Sequence, residues 1–156
     1  MKIMKIVVAL DGSRWAEAAL PKAVELVKDN DGAKVVVVRA VDPATLDGAG
    51  LTAARVKAIN EAADYLGDIA AQLRERGVRP VVRSILYTSP GPAIVSVARA
   101  VKADVIVMVS GHRSAAGHLV PGPIAEFVRQ RSGRPVLLVA GSPVRRPMAL
   151  ETEMAA

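Results

Sequence analysis

The sequence predicts an α/β domain in which one open, parallel sheet is covered by helices on both faces. Five short apolar runs alternate along the chain with longer segments of helical spacing. The runs are continuously apolar, as in DVIVMV at Asp104–Val109, and this is typical of parallel strands that are buried on both faces. Each run ends at polar, glycine or proline residues, which mark the turn out of a strand.

Five strands are predicted from these runs, because each is too short for a helix and rich in branched side chains. They are Lys5–Leu10, Lys34–Val41, Arg79–Tyr87, Asp104–Val109 and Pro135–Ala140. The third is the least apolar of the five. We therefore expect it to lie near an edge of the sheet.

Four helices are predicted between and after these strands. Their helical spacing runs over Ala16–Val27, Thr52–Arg76, Ile94–Val101 and Ile124–Arg131. Asp11 or Ser13 is placed to cap the first helix, and Pro21 inside it predicts a kink near Glu17. Gly77 closes the second helix. The fourth strand and the fourth helix are joined by a polar loop.

Composition excludes several classes of function. The chain has 156 residues, of which 51% are hydrophobic, and this is the size and content of one folded domain. It has no cysteine, which excludes thiol catalysis, disulfides and Cys-ligated zinc. The net charge of +6 favours anionic partners, but one Trp, two Tyr and one Phe offer few stacking surfaces for nucleic acid. The phosphate-binding patterns G-x-x-x-x-G-K-[ST] and G-x-G-x-x-G do not occur, and neither does G-x-S-x-G.

The two ends of the chain give expectations about location and order. The start, MKIMKIVVALDGS, lacks the apolar run and cleavage site of a signal peptide, and no apolar run approaches the roughly 20 residues of a membrane span. We expect a cytoplasmic protein with no membrane partner. His112 and His118 have no carboxylate cluster beside them, so no metal site is expected. The domain is expected to cover residues 1–141, and residues 142–156 to form a flexible tail.

Four features together resemble the universal stress protein family, over Lys5 to about Gly141. They are the first strand running into Asp11-Gly12-Ser13, the second ending in Val41-Asp42-Pro43, the helix start Gly91-Pro92-Ala93-Ile94, and DVIVMVS followed by a loop, a glycine and PVLLVA. The resemblance implies a Rossmann-like fold of the adenine nucleotide alpha hydrolase type with strand order 3-2-1-4-5. Strands 1 and 4 then adjoin, and their diverging connections open a crevice at the carboxyl ends of the strands.

The phosphate-binding signature of the family is degenerate in this chain. Members that bind ATP carry G-x2-G-x9-G-[ST] after the fourth strand, and the matching positions here are Val109, His112, Gly122 and Pro123. Val109 lacks the conformational freedom of glycine. Pro123 suits the first position of a helix but offers neither an N–H nor a hydroxyl to a phosphate. The loop therefore resembles the branch of the family that does not bind ATP.

The resemblance implies a candidate nucleotide site along the crevice. Its residues are Asp11, Gly12, Ser13, Val41, Ser110, Gly111, His112, Arg113, Ser114 and Gly122. Asp11 and the backbone at Val41 would face an adenine or ribose, and Arg113 could pair with a phosphate. Asp11 has an equally good alternative role, which is to cap the helix that follows the first strand and satisfy its backbone N–H groups.

Two functions remain open. In the first, the chain is a homodimeric regulatory protein of the stress response, with a degenerate crevice and an unidentified protein partner. In the second, it is a sensor in which ATP or AMP modulates partner binding, with Mg²⁺ only alongside ATP. A slow ATPase has the least support, because no general base can be named, so no catalytic residue is expected. Family dimers pair through the last strand, which implies a dimer edge at Val136, Leu137, Leu138 and Val139.

Overall fold

A computed structural model describes residues 2–46, 51–110, 112–113 and 115–141 of the chain. The strands are β1 Lys5–Leu10, β2 Lys34–Ala40, β3 Val81–Leu86, β4 Val105–Ser110, β5 His112–Arg113, β6 Leu119–Val120 and β7 Val136–Ala140. The α-helices are α1 Ala19–Asp29, α2 Leu51–Glu75, α3 Pro90–Val101 and α4 Pro123–Ser132. Short 3-10 helices cover Ala16–Ala18 and Pro43–Thr45. The predicted tail, residues 142–156, lies outside the described residues.

The main sheet has five parallel strands in the order β3-β2-β1-β4-β7. This confirms the predicted fold class, and the order 3-2-1-4-5 holds when β7 is counted as the fifth strand of the sheet. The intervening β5 and β6 form a separate two-stranded sheet, which the sequence reading missed. The least apolar strand, β3, lies at one edge as predicted, and β7 lies at the other.

The core consists of two layers, one on each face of the sheet. Alternate residues of a strand point to opposite faces, so Val8 of β1 packs toward α1 and α2, while Val7 packs toward α3 and α4. Both residues have no exposed surface. The central strands are continuously apolar because each of their faces is covered by helices.

The start of the first helical segment differs from the prediction. A kink near Glu17 is wrong, because Ala16–Ala18 forms a 3-10 helix and α1 begins only at Ala19. Pro21 therefore lies in the first turn of α1, where the N–H that it lacks has no helical partner to lose. The Ala16 N–H donates to Ser13 Oγ at 3.2 Å, so Ser13 supports the 3-10 turn, whereas α1 has Ala18 at its N-cap and no side-chain cap.

The polar loop after β4 contains an antiparallel strand pair. His112 of β5 pairs with Val120 of β6, and Arg113 pairs with Leu119. The reversal between them passes through Gly117, whose φ of +86° is one that residues with a Cβ rarely adopt. Gly111 and Ser114 lie outside the described residues. Within the part of the chain that the structure describes, none of the helices combines the length and apolar character needed to cross a lipid bilayer.

Candidate functional site

A crevice lies where the carboxyl ends of β1, β2 and β4 meet, and it contains two adjoining cavities. The first, called the polar end, has about 260 Å³ and is lined by Leu10, Asp11, Val38, Arg39, Ala40, Val41, Asp42, Thr45, Ala58, Glu61, Pro90 and Ile94. The second, called the apolar end, has about 240 Å³ and is lined by Ala9, Leu10, Asp11, Trp15, Ala16, Pro90, Ile94, Met108, Val109, Gly122, Pro123, Ile124 and Ala125. Four residues line both cavities, so the two form one crevice.

Asp11 lies at the junction of the two ends and closes the turn after β1. Its Oδ1 accepts hydrogen bonds from the Ser13 N–H at 2.8 Å and from Ser13 Oγ at 2.6 Å. Asp11 therefore closes the turn after β1, but the helix-capping alternative is wrong, because neither Ala16–Ala18 nor α1 has a side-chain cap. Asp11 also lines both cavities of the crevice.

The end of β2 supplies Val41 and Asp42 to the polar end. The Asp42 carboxylate caps the 3-10 helix that follows, accepting from the Ala44 N–H at 2.9 Å. The Val41 N–H donates to the Leu86 carbonyl at 2.8 Å and so extends the β2–β3 ladder. A ligand that meets the backbone at Val41 must therefore use its carbonyl oxygen. The described residues hold no group of three His, Cys, Asp or Glu arranged for a metal ion.

Arg39 is a crevice residue that sequence reasoning missed. Its guanidinium lies 5.3 Å from the centre of the Tyr65 ring, and its Nε is buried with no hydrogen-bond partner in the described part of the chain. Gly12 has a φ of +88°, and a Cβ added there would lie 2.8 Å from Arg39 Cζ. Gly12 thus suits the left-handed conformation of this turn, and a side chain there would displace the Arg39 guanidinium.

A buried acid and a tyrosine lie next to Arg39. Glu17 is only 1% exposed, and its Oε2 accepts a hydrogen bond from the Tyr65 hydroxyl at 3.2 Å. Burial raises the pKa of Tyr65 well above its ordinary value, and the negative charge of Glu17 together with this hydrogen bond raises it further. The tyrosine is therefore held as a neutral donor. Glu17 could have been suspected from the sequence, since it stands alone among Ala16, Ala18, Ala19 and Leu20.

The apolar end is lined by side chains that leave a large apolar surface in contact with solvent. Trp15 is 39% exposed and Ile124 is 44% exposed, and both face the same cavity as Met108 and Val109. The Trp15 ring packs so closely on Gly141 that a Cβ there would collide with it. Trp15 therefore covers the end of β7 and forms a wall of the crevice at the same time.

The signature positions lie around this apolar end. Val109, Gly122 and Pro123 all line the cavity, and Gly122 is the N-cap of α4. Its φ of −74° and ψ of 179° are extended values that any residue can adopt, so this position does not require a glycine for its conformation. Pro123 is the first residue of α4, as predicted, and provides no N–H at the helix terminus.

The remaining predicted site residues lie at the ends of β4 and β5. Ser110 is the last residue of β4, and His112 and Arg113 form β5. Gly111 and Ser114 are outside the described residues, as noted above. The structure thus brings together Asp11, Val41 and Gly122 around one crevice, with Gly12 and Ser13 in the turn beside it.

The fold and the crevice define a doubly wound α/β domain with a ligand site at the carboxyl ends of its parallel strands. Residues 2–140 match the sequence model of the universal stress protein family, and the chain belongs to this family. A Staphylococcus saprophyticus protein described as a universal stress protein is 31% identical over 137 residues, which are 86% of this chain and 81% of that protein.

Two solved structures of the family are also similar. The universal stress protein from Archaeoglobus fulgidus in complex with dAMP is 25% identical, with a TM-score of 0.64 and coverage of 88% of this chain and 98% of that chain. A universal stress protein in complex with cAMP is 23% identical, with a TM-score of 0.68 and coverage of 91% and 100%. The second likeness is one of fold alone.

Proposed function

We propose that this universal stress protein is a regulatory protein that senses an adenine nucleoside or nucleoside monophosphate in the crevice. The single observation that carries the proposal is the continuous crevice around Asp11, at the switch point between β1 and β4. Similar structures of the family are in complex with dAMP and with cAMP, which are both monophosphates of an adenine nucleoside. Binding would modulate the affinity for a protein partner, whose identity the crevice does not specify.

The polar end has the chemistry to receive an adenosine. Carboxylates of Asp11 and Asp42 are acceptors for ribose hydroxyls or an amino group, and the Val41 carbonyl is a further acceptor for an amino group. Its volume of about 260 Å³ is close to the lower limit of small-molecule sites, which is about 300 Å³. The adjoining apolar end brings the crevice into the ordinary range.

A triphosphate is disfavoured by the other end of the crevice. A phosphate at a helix N-terminus is held by free backbone N–H groups and by the helix dipole. At α4 the first residue is Pro123, which has no N–H, and the N-cap Gly122 has no side chain to add a donor. We therefore propose that ATP, with or without Mg²⁺, binds more weakly than AMP or adenosine.

Thermal unfolding with millimolar adenosine, AMP, and ATP plus Mg²⁺ tests this proposal. A ligand present at about 100 times its Kd stabilises a protein by about 2.7 kcal/mol, which is a clear rise in melting temperature. We expect a rise with adenosine or AMP and a smaller one with ATP. If none of the three compounds raises the melting temperature, the sensor proposal is wrong.

A pair of matched variants locates the binding site. Ala58 lines the polar end, whereas Ala53 is exposed on the same helix. Ala58→Leu should fill the polar end and abolish the rise in melting temperature, and Ala53→Leu should leave it intact. A rise that survives Ala58→Leu would place the ligand outside the crevice.

We also propose that the chain forms a homodimer through β7. In the described part of the chain, β7 pairs only with β4 and leaves its other edge open. Its apolar residues Val136, Leu137, Leu138 and Val139 are only partly buried. An apolar edge strand of this kind is stabilised when a second copy covers it. The dimer would then be the form that presents a surface to the regulated partner.

Sedimentation of edge variants tests the dimer. Val139→Lys places a charge on β7, and Val82→Lys places one on the opposite edge strand β3, where Val82 is already 39% exposed. We expect Val139→Lys to sediment as a monomer and Val82→Lys to remain a dimer, with circular dichroism confirming that both are folded. A folded Val139→Lys dimer would contradict pairing through β7.

No catalytic role is part of this proposal. We assign no general base, because Asp11 and Asp42 accept hydrogen bonds within turns and Glu17 is 1% exposed. Incubation with ATP and Mg²⁺ tests this directly, because sustained release of phosphate above the uncatalysed rate would make the protein an ATPase. A cytoplasmic location remains a prediction that cell fractionation can check.

A further inference from the structure

The two ends of the crevice differ in the chemistry of their walls. The polar end contains Arg39, Asp42, Thr45 and Glu61, and the apolar end contains Trp15, Met108, Val109, Pro123 and Ile124. The shared lining at Leu10, Asp11, Pro90 and Ile94 joins them. A molecule that spans the crevice therefore meets hydrogen-bonding groups at one end and hydrocarbon at the other.

The apolar end is poorly suited to a charged group. Among the described residues that line it, Asp11 is the only charged one, and its charge is negative. A phosphate placed there would be close to this carboxylate and would exchange water for apolar walls, with no cation among the described lining residues to compensate it. Pro123 also removes the first N–H of the helix terminus.

The same walls favour an uncharged apolar group. Two of the large hydrophobic side chains that the described part of the chain leaves exposed, Trp15 at 39% and Ile124 at 44%, meet in this cavity of about 240 Å³. Covering them would remove apolar surface from water, which is the main source of affinity in such a site. A flat indole wall and an aliphatic wall suit a short alkyl or thioether group.

We propose that the ligand is an adenosine whose 5′ carbon carries an uncharged, apolar substituent, such as an alkylthio group. The inference rests on the proposed function, because it uses the nucleoside placed at the polar end. The base and ribose lie against Asp42 and Asp11, and the 5′ substituent enters the apolar end between Trp15 and Ile124. Val109 and Pro123, which replace signature residues of the ATP-binding members, would then contact the apolar 5′ substituent and not a phosphate.

The single tryptophan of the chain reports directly on the apolar end. The probes are adenosine, AMP and 5′-deoxy-5′-methylthioadenosine, titrated by calorimetry and by Trp15 fluorescence. Burying one methylthio group should make the methylthio compound bind about tenfold more tightly than adenosine, and more tightly still than AMP. Its binding should also shift Trp15 emission to the blue, whereas adenosine should leave the emission near that of the free protein.

A matched pair of variants separates the walls of the cavity from the rest of the surface. Ile124→Thr should reduce the preference for the methylthio compound over adenosine to about threefold or less. Val56→Thr changes a 53% exposed valine of α2, which does not line the crevice, and should keep the full preference.

The possible outcomes are distinct. If AMP binds as tightly as the methylthio compound, or if the methylthio compound binds without a change in Trp15 emission, the inference is wrong while the proposed function stands. If none of the three probes binds, the proposed function fails and this inference fails with it. Preference for the methylthio compound that is lost in Ile124→Thr and kept in Val56→Thr supports the inference.

Discussion

The two ends of the crevice adjoin at Asp11, yet they relate to the fold in opposite ways. At the polar end, the Asp42 carboxylate is already bonded to Ala44 within the chain, and the Glu17–Tyr65 pair is bonded next to Arg39. At the apolar end, Trp15 and Ile124 remain 39% and 44% exposed. The comparison indicates that the polar end contributes to folding stability, whereas the apolar end retains surface that folding does not bury. Substitutions should therefore affect stability unequally at the two ends.

The largest effect is expected at Gly12, beneath the Arg39 guanidinium. Gly12→Ala forces a Cβ into a left-handed conformation, which costs about 1–2 kcal/mol, and it also displaces Arg39 from Tyr65, which costs about 0.5–1 kcal/mol more. Urea denaturation measures the total. Gly32→Ala is the matched control, because Gly32 has a φ of +82° and no atom within 4 Å of the added Cβ. Equal costs in the two variants would show that Arg39 adds nothing to stability at the polar end.

A smaller loss is expected when the buried acid loses its donor. Tyr65→Phe removes the hydroxyl that donates to Glu17, and one hydrogen bond contributes about 0.5–1.5 kcal/mol net to stability. We therefore expect a loss of about 1 kcal/mol. Tyr87→Phe is the control, since the Tyr87 ring stacks at 4.1 Å on Arg55 of α2, outside the crevice lining. A cost no greater than that of Tyr87→Phe would contradict a structural role for the Glu17–Tyr65 pair.

Comparison of the wild type with Tyr65→Phe also shows in which direction the free energy of unfolding changes with pH. The pKa of Tyr65 is raised in the folded protein by burial and by Glu17, so its contribution to stability is complete below the unfolded pKa of about 10. This contribution is lost as the pH rises toward the folded pKa. The stability advantage of the wild type over Tyr65→Phe should therefore be unchanged up to about pH 10 and decrease above it, in parallel denaturation series from about pH 9 to about pH 11. A constant difference over this interval would mean that the folded protein does not shift the pKa of Tyr65.

Much of the fold could be predicted from the sequence, because strands buried on both faces appear in it as continuous apolar runs. Strands covered on both faces must be apolar at every position, so β1 was placed at Lys5–Leu10 without error, and β2 and β4 within one residue at each end. The kink was wrong because a proline in a helical pattern does not say whether it lies in the first turn or later. The β5–β6 pair was missed because two-residue strands leave no periodic signal.

The site was less predictable, because its walls come from residues with ordinary local roles. Arg39 lies inside the run KVVVVRAV, whose pattern indicates only the end of a strand. In the structure it shares a face of β2 with Val35 and Val37, and its guanidinium lies over the ring of Tyr65 from α2. Trp15 directly precedes the first predicted helix, and no pattern in the sequence marks it as part of a site. Only its contact with Gly141, far along the chain, places it in the wall of the crevice. Such long-range neighbours carry no signal in a single sequence.

The smallest change in the free energy of unfolding is expected at the apolar end. This prediction tests most strictly whether the two ends of the crevice differ in their contribution to stability. Ile124→Thr should change the free energy of unfolding by no more than about 0.5 kcal/mol, because the side chain is 44% exposed and substitutions at surface positions usually stay within this limit. Val128→Thr, four residues later on α4 at a position with no exposed surface, should cost more than about 1 kcal/mol, since it buries a hydroxyl. Parallel urea denaturation of the two variants measures the difference. If Ile124→Thr proved as costly as Val128→Thr, the apolar end would belong to the core of the protein. The exposed surface of Trp15 and Ile124 would then no longer support a ligand site at this end.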